Sequence, residues 1–127
     1  MISLELAEEL KNCGLEWEYE YGFPRDCVYY KGKLHGVDGT GAGDTIRIAP
    51  WQNYVKRENL IFAPTLTQIL SEIEKRGYAG WCLSQDNLDD YQLDLIIDQQ
   101  VHAVVHGNSP EEAAAAALLW VMKEGKA

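Results

Sequence analysis

Residues 65–77 read TLTQILSEIEKRG and carry both ends of a helix. Thr65 followed three residues later by Gln68 is a capping box, in which the two side chains satisfy the first free backbone N–H groups. Basic residues stand in the last turn, and Gly77 follows them as a helix stop. The apolar residues between these signals recur on one helical face: Leu66, Ile69, Leu70 and Ile73. The stretch predicts an amphipathic helix.

Three strands and a second helix are predicted after this helix. The strand patterns cover Tyr78 to Leu83, Tyr91 to Asp98 and Val101 to His106, the last two joined by a tight turn around Gln99. Ser109, Pro110, Glu111 and Glu112 then supply a cap, a first-turn proline and two carboxylates that the helix dipole favours. The helix should continue through Met122 to Gly125. Residues 64–127 therefore have the order α-β-β-β-α, with the strands in a meander.

Residues 1–63 carry weaker patterns of the same kinds. Ser3 caps a first helix that ends at Gly14, and Leu15 to Tyr21 alternates as a half-buried strand does. Cys27 to Tyr30 and Lys33 to Val37 flank a Lys-Gly turn and predict a hairpin. A glycine loop and a strand from Thr45 to Ile48 follow, and no pattern assigns residues 51–63. We predict a single α+β domain over residues 1–127, with order α-β-β-β then α-β-β-β-α. Small antiparallel sheets would pack against helices in two layers or in an α/β/α sandwich.

Composition narrows the classes of function. The chain has 127 residues and a net charge of −9, so its surface should repel nucleic-acid phosphates and anionic membranes. Cys13, Cys27 and Cys82 form no C-x-x-C pair, which indicates free thiols. No leader or apolar run of about 18 residues is evident. These features predict a cytoplasmic protein.

A glycine-rich loop is the most prominent local motif. Residues 38–45 read DGTGAGDT and resemble the signature of ribokinase-type sugar kinases. This resemblance implies that Asp44 would be the catalytic base that deprotonates the substrate hydroxyl. Phosphate binding there needs a helix directly after the loop, because aligned N–H groups form the anion site. Thr45 to Ile48 is strand-like and Pro50 follows. We therefore predict a mobile hairpin loop without a nucleotide.

Histidine and aspartate clusters offer little for a metal. His102 and His106 have helical spacing, but in a strand they would lie about 13 Å apart, too far to share an ion. His35 is isolated. Asp86, Asp89 and Asp90 cluster in a turn but lack the spacing of a calcium-binding loop. We interpret them as solvent-exposed polar residues of an ordinary turn. We predict no catalytic constellation, no metal and no cofactor.

Aromatic residues are concentrated before Pro64. Tyrosine and tryptophan are enriched at protein interfaces, so a partner surface is one interpretation, and a core with amphipathic rims is the other. The candidates for a partner surface are Trp17, Tyr19, Tyr21, Phe23, Tyr29, Tyr30, Trp51 and Tyr54. The partner would be another protein or a second copy of this chain.

The order α-β-β-β-α resembles a double-stranded RNA-binding domain. That family grips phosphates with lysines at the start of its last helix. This chain has Glu111 and Glu112 there. The likeness therefore implies the architecture without the binding chemistry, and no nucleic acid is expected as a partner. In the alternative hypothesis, the protein is an acidic mimic of nucleic acid or a degenerate nucleic-acid-binding fold. Its anionic second half would then occupy the basic site of a protein that handles nucleic acids.

Three stretches of the chain share a helix-and-cap pattern: residues 3–7 (SLELA), 66–78 (LTQILSEIEKRGY) and 109–120 (SPEEAAAAALLW). In these stretches the chain resembles small proteins carried by prophages of Gram-positive bacteria. The resemblance implies a phage-type α/β sandwich and no particular activity. The expected function is that of a non-catalytic prophage-type accessory protein, which binds another protein through its aromatic-rich half or an exposed sheet edge. A small enzyme that uses Asp44 is the third hypothesis.

Overall fold

Three helices and eight strands make up the described parts of the chain. A computed structural model of the protein describes residues 2–17, 26–49, 53–78 and 80–124. The helices are α1 (Leu4–Asn12), α2 (Leu66–Lys75) and α3 (Pro110–Glu124), and a 3-10 turn spans Arg57–Asn59. The strands are β1 (Cys27–Tyr30), β2 (Lys33–Thr40), β3 (Thr45–Ile48), β4 (Asn53–Lys56), β5 (Ile61–Ala63), β6 (Gly80–Asn87), β7 (Asp90–Ile97) and β8 (Gln100–Gly107). The predicted α+β class is confirmed.

Five strands of three to eight residues form the first sheet, in the order β4-β3-β2-β1-β5. The predicted hairpin is present, because β1 pairs antiparallel with β2 and Val28 lies opposite His35. Lys31 and Gly32 form its turn with φ values of 50° and 78°, which the glycine accepts without strain. The first four strands of this sheet therefore pair with their neighbours in sequence. The later strand β5 pairs antiparallel with β1 and forms one edge of the sheet.

The second sheet is the predicted meander, in the order β6-β7-β8. Asp98 and Gln99 join β7 to β8 with φ values of 51° and 66°. A two-residue hairpin turn of type I′ has positive φ at both of these positions. Leu93 and Leu95 on β7 are fully buried, and they pair with strand positions whose side chains also pack on the core. One face of this sheet therefore lies on the helices. The two sheets remain separate in the described chain.

The helix caps agree with the sequence prediction. Thr65 Oγ1 accepts the Gln68 N–H at 3.3 Å, and Gln68 Oε1 accepts the Thr65 N–H at 2.8 Å. Ser109 Oγ accepts the Glu112 N–H at 3.1 Å. The Gln68 amide also donates to Asp26 Oδ1 at 2.8 Å, and Asp26 is only 4% exposed. The capping box therefore also ties the start of α2 to the chain just before β1.

Loss of the Thr65 cap should destabilise the protein. Thr65→Ala removes the acceptor for a first-turn N–H, and we expect the free energy of unfolding to fall by about 1 kcal/mol. Thr67→Ala is the matched control, because Thr67 is exposed on the same helix and caps nothing. Urea unfolding of both variants measures the difference. Equal midpoints for the two variants would contradict the assigned helix start.

The core has two parts. A helical cluster joins all three helices to β7, and its fully buried members include Leu10, Ile69, Ile73, Leu93 and Leu118. A smaller cluster lies in the five-stranded sheet around Val28, Val37, Ile46, Ile48 and Leu60. Helix α1 therefore packs with helices from the other half of the sequence. The Ser3 N–H adds a hydrogen bond to Glu112 Oε1 at 2.9 Å.

Several predictions for the first half need correction. Leu15, Glu16 and Trp17 are not in a strand, and the remainder of the predicted strand lies outside the described residues. Arg57 Nη1 donates to the Trp17 carbonyl at 2.7 Å, so a side chain occupies an acceptor that a strand would pair. The predicted loop at residues 38–44 is also too long, because β2 continues to Thr40. Three of the four strand ranges predicted in the first half are present as β1, β2 and β3, whereas β4 and β5 were not predicted.

Candidate protein-binding edge

Only half of the predicted aromatic surface lies in the described chain. Trp17, Tyr29, Tyr30 and Tyr54 have described positions. Four of the candidates, Tyr19, Tyr21, Phe23 and Trp51, lie outside the described residues. Trp17 follows α1, Tyr29 and Tyr30 lie in β1, and Tyr54 lies in β4.

Two of these tyrosines make their main contacts within the protein. The Tyr29 hydroxyl donates to the Ile2 carbonyl at 2.8 Å, and its ring packs on the helical cluster. Burial, with a smaller contribution from Glu112, raises the pKa of Tyr29. Tyr30 packs on the smaller cluster and lies 6.3 Å from the His35 ring in an edge-on arrangement. These contacts indicate anchoring within the fold.

Trp17 forms a stacked cluster with neighbouring side chains. Its ring lies 4.8 Å from that of Phe62 at an interplanar angle of 12°, and the Arg57 guanidinium lies 4.8 Å from its centroid. Arg57 Nε also donates to Asp44 Oδ1 at 3.0 Å. Cavities of about 320 and 550 Å³ border the stack. The carboxylate that a kinase-like mechanism would use thus accepts a structural hydrogen bond from Arg57.

The glycine loop connects two strands, as the sequence predicts. Thr45 Oγ1 donates to the Ala42 carbonyl at 2.8 Å, and the Gly41 N–H donates to the Thr45 carbonyl at 3.1 Å. Strand β3 begins at Thr45, so the loop is not followed by the helix N-terminus that a phosphate site of the kinase type uses. The local geometry is that of a β-hairpin connection.

The cysteines differ in their surroundings. Burial raises the pKa of the Cys27 thiol, and the neighbouring Asp26 carboxylate raises it further. A nucleophilic cysteine needs the opposite shift, because the thiolate is the reactive form. Cys82 is exposed on β6.

In the described part of the chain, no helix is both long and apolar enough to span a membrane.

Strand β8 carries two of the most exposed apolar side chains. Val101 is 56% exposed and Val104 is 48% exposed. Val104 lies opposite Asp94, on the sheet face away from the buried leucines, while its neighbours Ala103 and Val105 pack on the helical cluster. Tyr54, at 57%, is the most exposed described aromatic residue and lies on β4, an edge of the other sheet. Three of the five exposed large apolar side chains of the described chain therefore lie on edge strands.

The free edge of β8 lacks the charged residues and prolines that often protect an edge strand, and its pairing with β7 shifts register at His102. Its eight residues read QVHAVVHG and contain no lysine, proline or carboxylate. Natural edge strands are commonly shielded by such residues, because unpaired N–H and C=O groups can pair with another chain. Strand β8 pairs only with β7 in its sheet. It therefore offers a row of backbone groups beside exposed valine side chains.

The residues considered as metal ligands lie in the second sheet and its turns, except for His35 on β2. His102 and His106 are both exposed on β8, which confirms the strand prediction. Asp86, Asp90 and His106 have ligand atoms within 4.8 Å of one another, the only group of three or more such residues found among the described ones. The sequence interpretation considered the histidines together and the aspartates together, and so it did not group His106 with Asp86 and Asp90. Sheet register, and not sequence spacing, places His106 beside the aspartates.

Comparisons with known proteins return no relatives. No protein-family model, no curated protein sequence and no solved structure matches the chain.

Proposed function

We propose that this chain is a non-catalytic accessory protein of prophage type that binds a protein partner by adding a partner segment to β8. The observation that carries the proposal is the outer edge of β8, which has no lysine, proline or carboxylate and carries the exposed side chains of Val101 and Val104. Edge-strand pairing gives affinity through backbone hydrogen bonds, and alternate side chains give specificity. The likeness of both chain ends to small prophage proteins supports the accessory role.

The chemistry of β8 favours an extended, apolar partner segment. Val104 stands on the open sheet face opposite Asp94, so a segment with apolar residues and a basic residue suits this surface. The net charge of −9 adds a long-range attraction for a basic partner. The same charge opposes close approach of a second copy. A different protein is therefore the preferred partner.

A pair of charge-introducing variants tests the proposal. Val104→Lys places a charge beside the free edge, and Ser84→Lys places the same charge on β6, the opposite edge of the sheet. Both positions are exposed, so both variants should fold. Proteins from a host lysate would be captured on wild-type and variant chains and quantified by mass spectrometry. We expect one captured protein whose amount falls at least about tenfold with Val104→Lys, which corresponds to a loss of about 1.4 kcal/mol in binding free energy. Ser84→Lys should capture the same amount of that protein as the wild type.

Salt separates this proposal from an acidic mimic. Raising the salt from about 0.1 M to about 1 M shortens the screening length from about 10 Å to about 3 Å. A partner held by strand pairing and apolar contact should remain bound, whereas a charge-driven complex should dissociate. Loss of the partner at high salt, with equal capture by wild type and Val104→Lys, would contradict the β8 proposal and favour the acidic mimic.

The protein should not bind double-stranded RNA or DNA at physiological salt. Nonspecific duplex binding depends on several lysine and arginine contacts to phosphates. Glu112 lies at the start of α3, where its carboxylate accepts the Ser3 N–H and would repel a phosphate. A gel-shift titration with a duplex of about 16 base pairs provides the measurement. A salt-sensitive shift at low micromolar protein would contradict this expectation.

A further inference from the structure

We propose that Asp86, Asp90 and His106 form a binding site for a zinc-type divalent cation at one end of the three-stranded sheet. One ligand comes from each of β6, β7 and β8, and the candidate ligand atoms all lie within 4.8 Å of one another. The set combines an imidazole with two carboxylates. Zinc accepts both ligand types, whereas calcium and magnesium prefer oxygen ligands alone.

The spacing of two of these ligands fits a tetrahedral site. His106 Nδ1 lies 3.2 Å from Asp90 Oδ1. Zinc bonds of about 2.0 Å to nitrogen and oxygen place two tetrahedral ligands about 3.3 Å apart. The observed separation therefore allows one ion to contact both atoms with little side-chain movement. The third ligand, Asp86, is exposed and has room to rotate toward the ion.

A β-bulge explains why Asp86 belongs to the set. The β6–β7 pairing shifts register between Gln85 and Asn87, so Asp86 lies at the irregularity. Bulges change the direction of a side chain, and they recur beside functional sites. Opposite it, β7 begins at Asp90, and the β7–β8 register places His106 opposite Gln92. Backbone pairing across three adjacent strands thus positions all three residues.

Local charge also favours a cation. Asp86 and Asp90 bring two carboxylates close together, and among the described residues no lysine or arginine lies within 4.0 Å of either of them. A divalent cation would offset the repulsion between these carboxylates. Three protein ligands leave a fourth position for water or for a group of a partner.

Zinc titration by calorimetry tests the site on the untagged protein. We expect one Zn²⁺ to bind per chain. His106→Ala should lower the Zn²⁺ affinity more than about tenfold, because replacing even a residue that only hydrogen-bonds to a metal ligand typically lowers metal affinity tenfold or more. His102→Ala is the matched control, because His102 is exposed on the same strand outside the cluster. Asp90→Asn and Asp89→Asn form a second pair, in which only the first should weaken binding. Zn²⁺ should also raise the melting temperature of the wild type and not of His106→Ala.

Three results would overturn the proposal. The first is equal Zn²⁺ affinity in wild type and His106→Ala. The second is a thiolate charge-transfer absorption on Co²⁺ addition, which would place the ion on an exposed cysteine such as Cys82. The third is Ca²⁺ or Mg²⁺ binding as strong as Zn²⁺ binding and insensitive to His106→Ala, which would indicate an ordinary acidic turn.

Discussion

Leu118→Ala is expected to lower the free energy of unfolding by about 3 kcal/mol, in the range measured for fully buried leucines. Leu118 is fully buried in α3 and belongs to the helical cluster that also holds Ile69, Ile73 and Leu93. Alanine is the best helix former, so the substitution should not weaken α3 itself. The loss should come from removed apolar contacts and the cavity left between the helices and the sheet.

Leu88→Ala provides the matched control for this measurement. Leu88 is 87% exposed in the turn between β6 and β7, so its removal should change stability by less than about 0.5 kcal/mol. Urea unfolding followed by circular dichroism compares the two variants. A Leu118→Ala midpoint equal to that of Leu88→Ala would mean that α3 does not pack as described.

Gly107→Ala should cost about 3 kcal/mol, at the upper end of the usual range for overpacking. Gly107 ends β8, and α3 begins three residues later at Pro110. A Cβ at this position would lie 2.7 Å from Ala113 Cα and closer still to the Ala113 nitrogen. These are backbone atoms of the helix, so no side chain can rotate away to relieve the contact. The start of α3 would have to move away from the sheet.

A second glycine separates this steric effect from a general effect of adding a methyl group in a strand. Gly39 lies in β2, and a Cβ there would meet the Arg47 side chain at an ordinary 3.5 Å. Gly39→Ala should therefore unfold at a midpoint close to that of the wild type. If thermal unfolding shows the same change for both variants, the close approach of α3 to Gly107 is wrong.

Local signals account for the parts of the fold that the sequence predicts well. The capping residues Thr65 and Ser109 act within one helical turn, so their side-chain bonds follow from sequence alone. The turn at Asp98 and Gln99 is also local, because a two-residue connection between alternating strands allows few geometries. By contrast, β5 has only three residues, too few to display a period-two pattern, and it pairs with the distant strand β1.

Register and edge position lie beyond this local information. Nothing within residues 100–107 indicates that β8 is an outer strand, because that depends on where the chain goes after Gly107. The Asp86, Asp90 and His106 group depends on two strand registers and a bulge. Trp17 is a similar case, since its stacking on Phe62 joins residues far apart in sequence. Long-range pairing determines each of these features.

Amide hydrogen exchange across β8 is the most direct test of the proposed function. Exchange would be measured by mass spectrometry on the free chain and on its complex with the protein that Val104→Lys fails to capture. Strand addition predicts slower exchange of amides in residues 100–107 in the complex, because new backbone hydrogen bonds protect them. Strand β6, the other edge, should exchange at the same rate in both states. Unchanged exchange in β8, with protection elsewhere in the chain, would contradict the proposal.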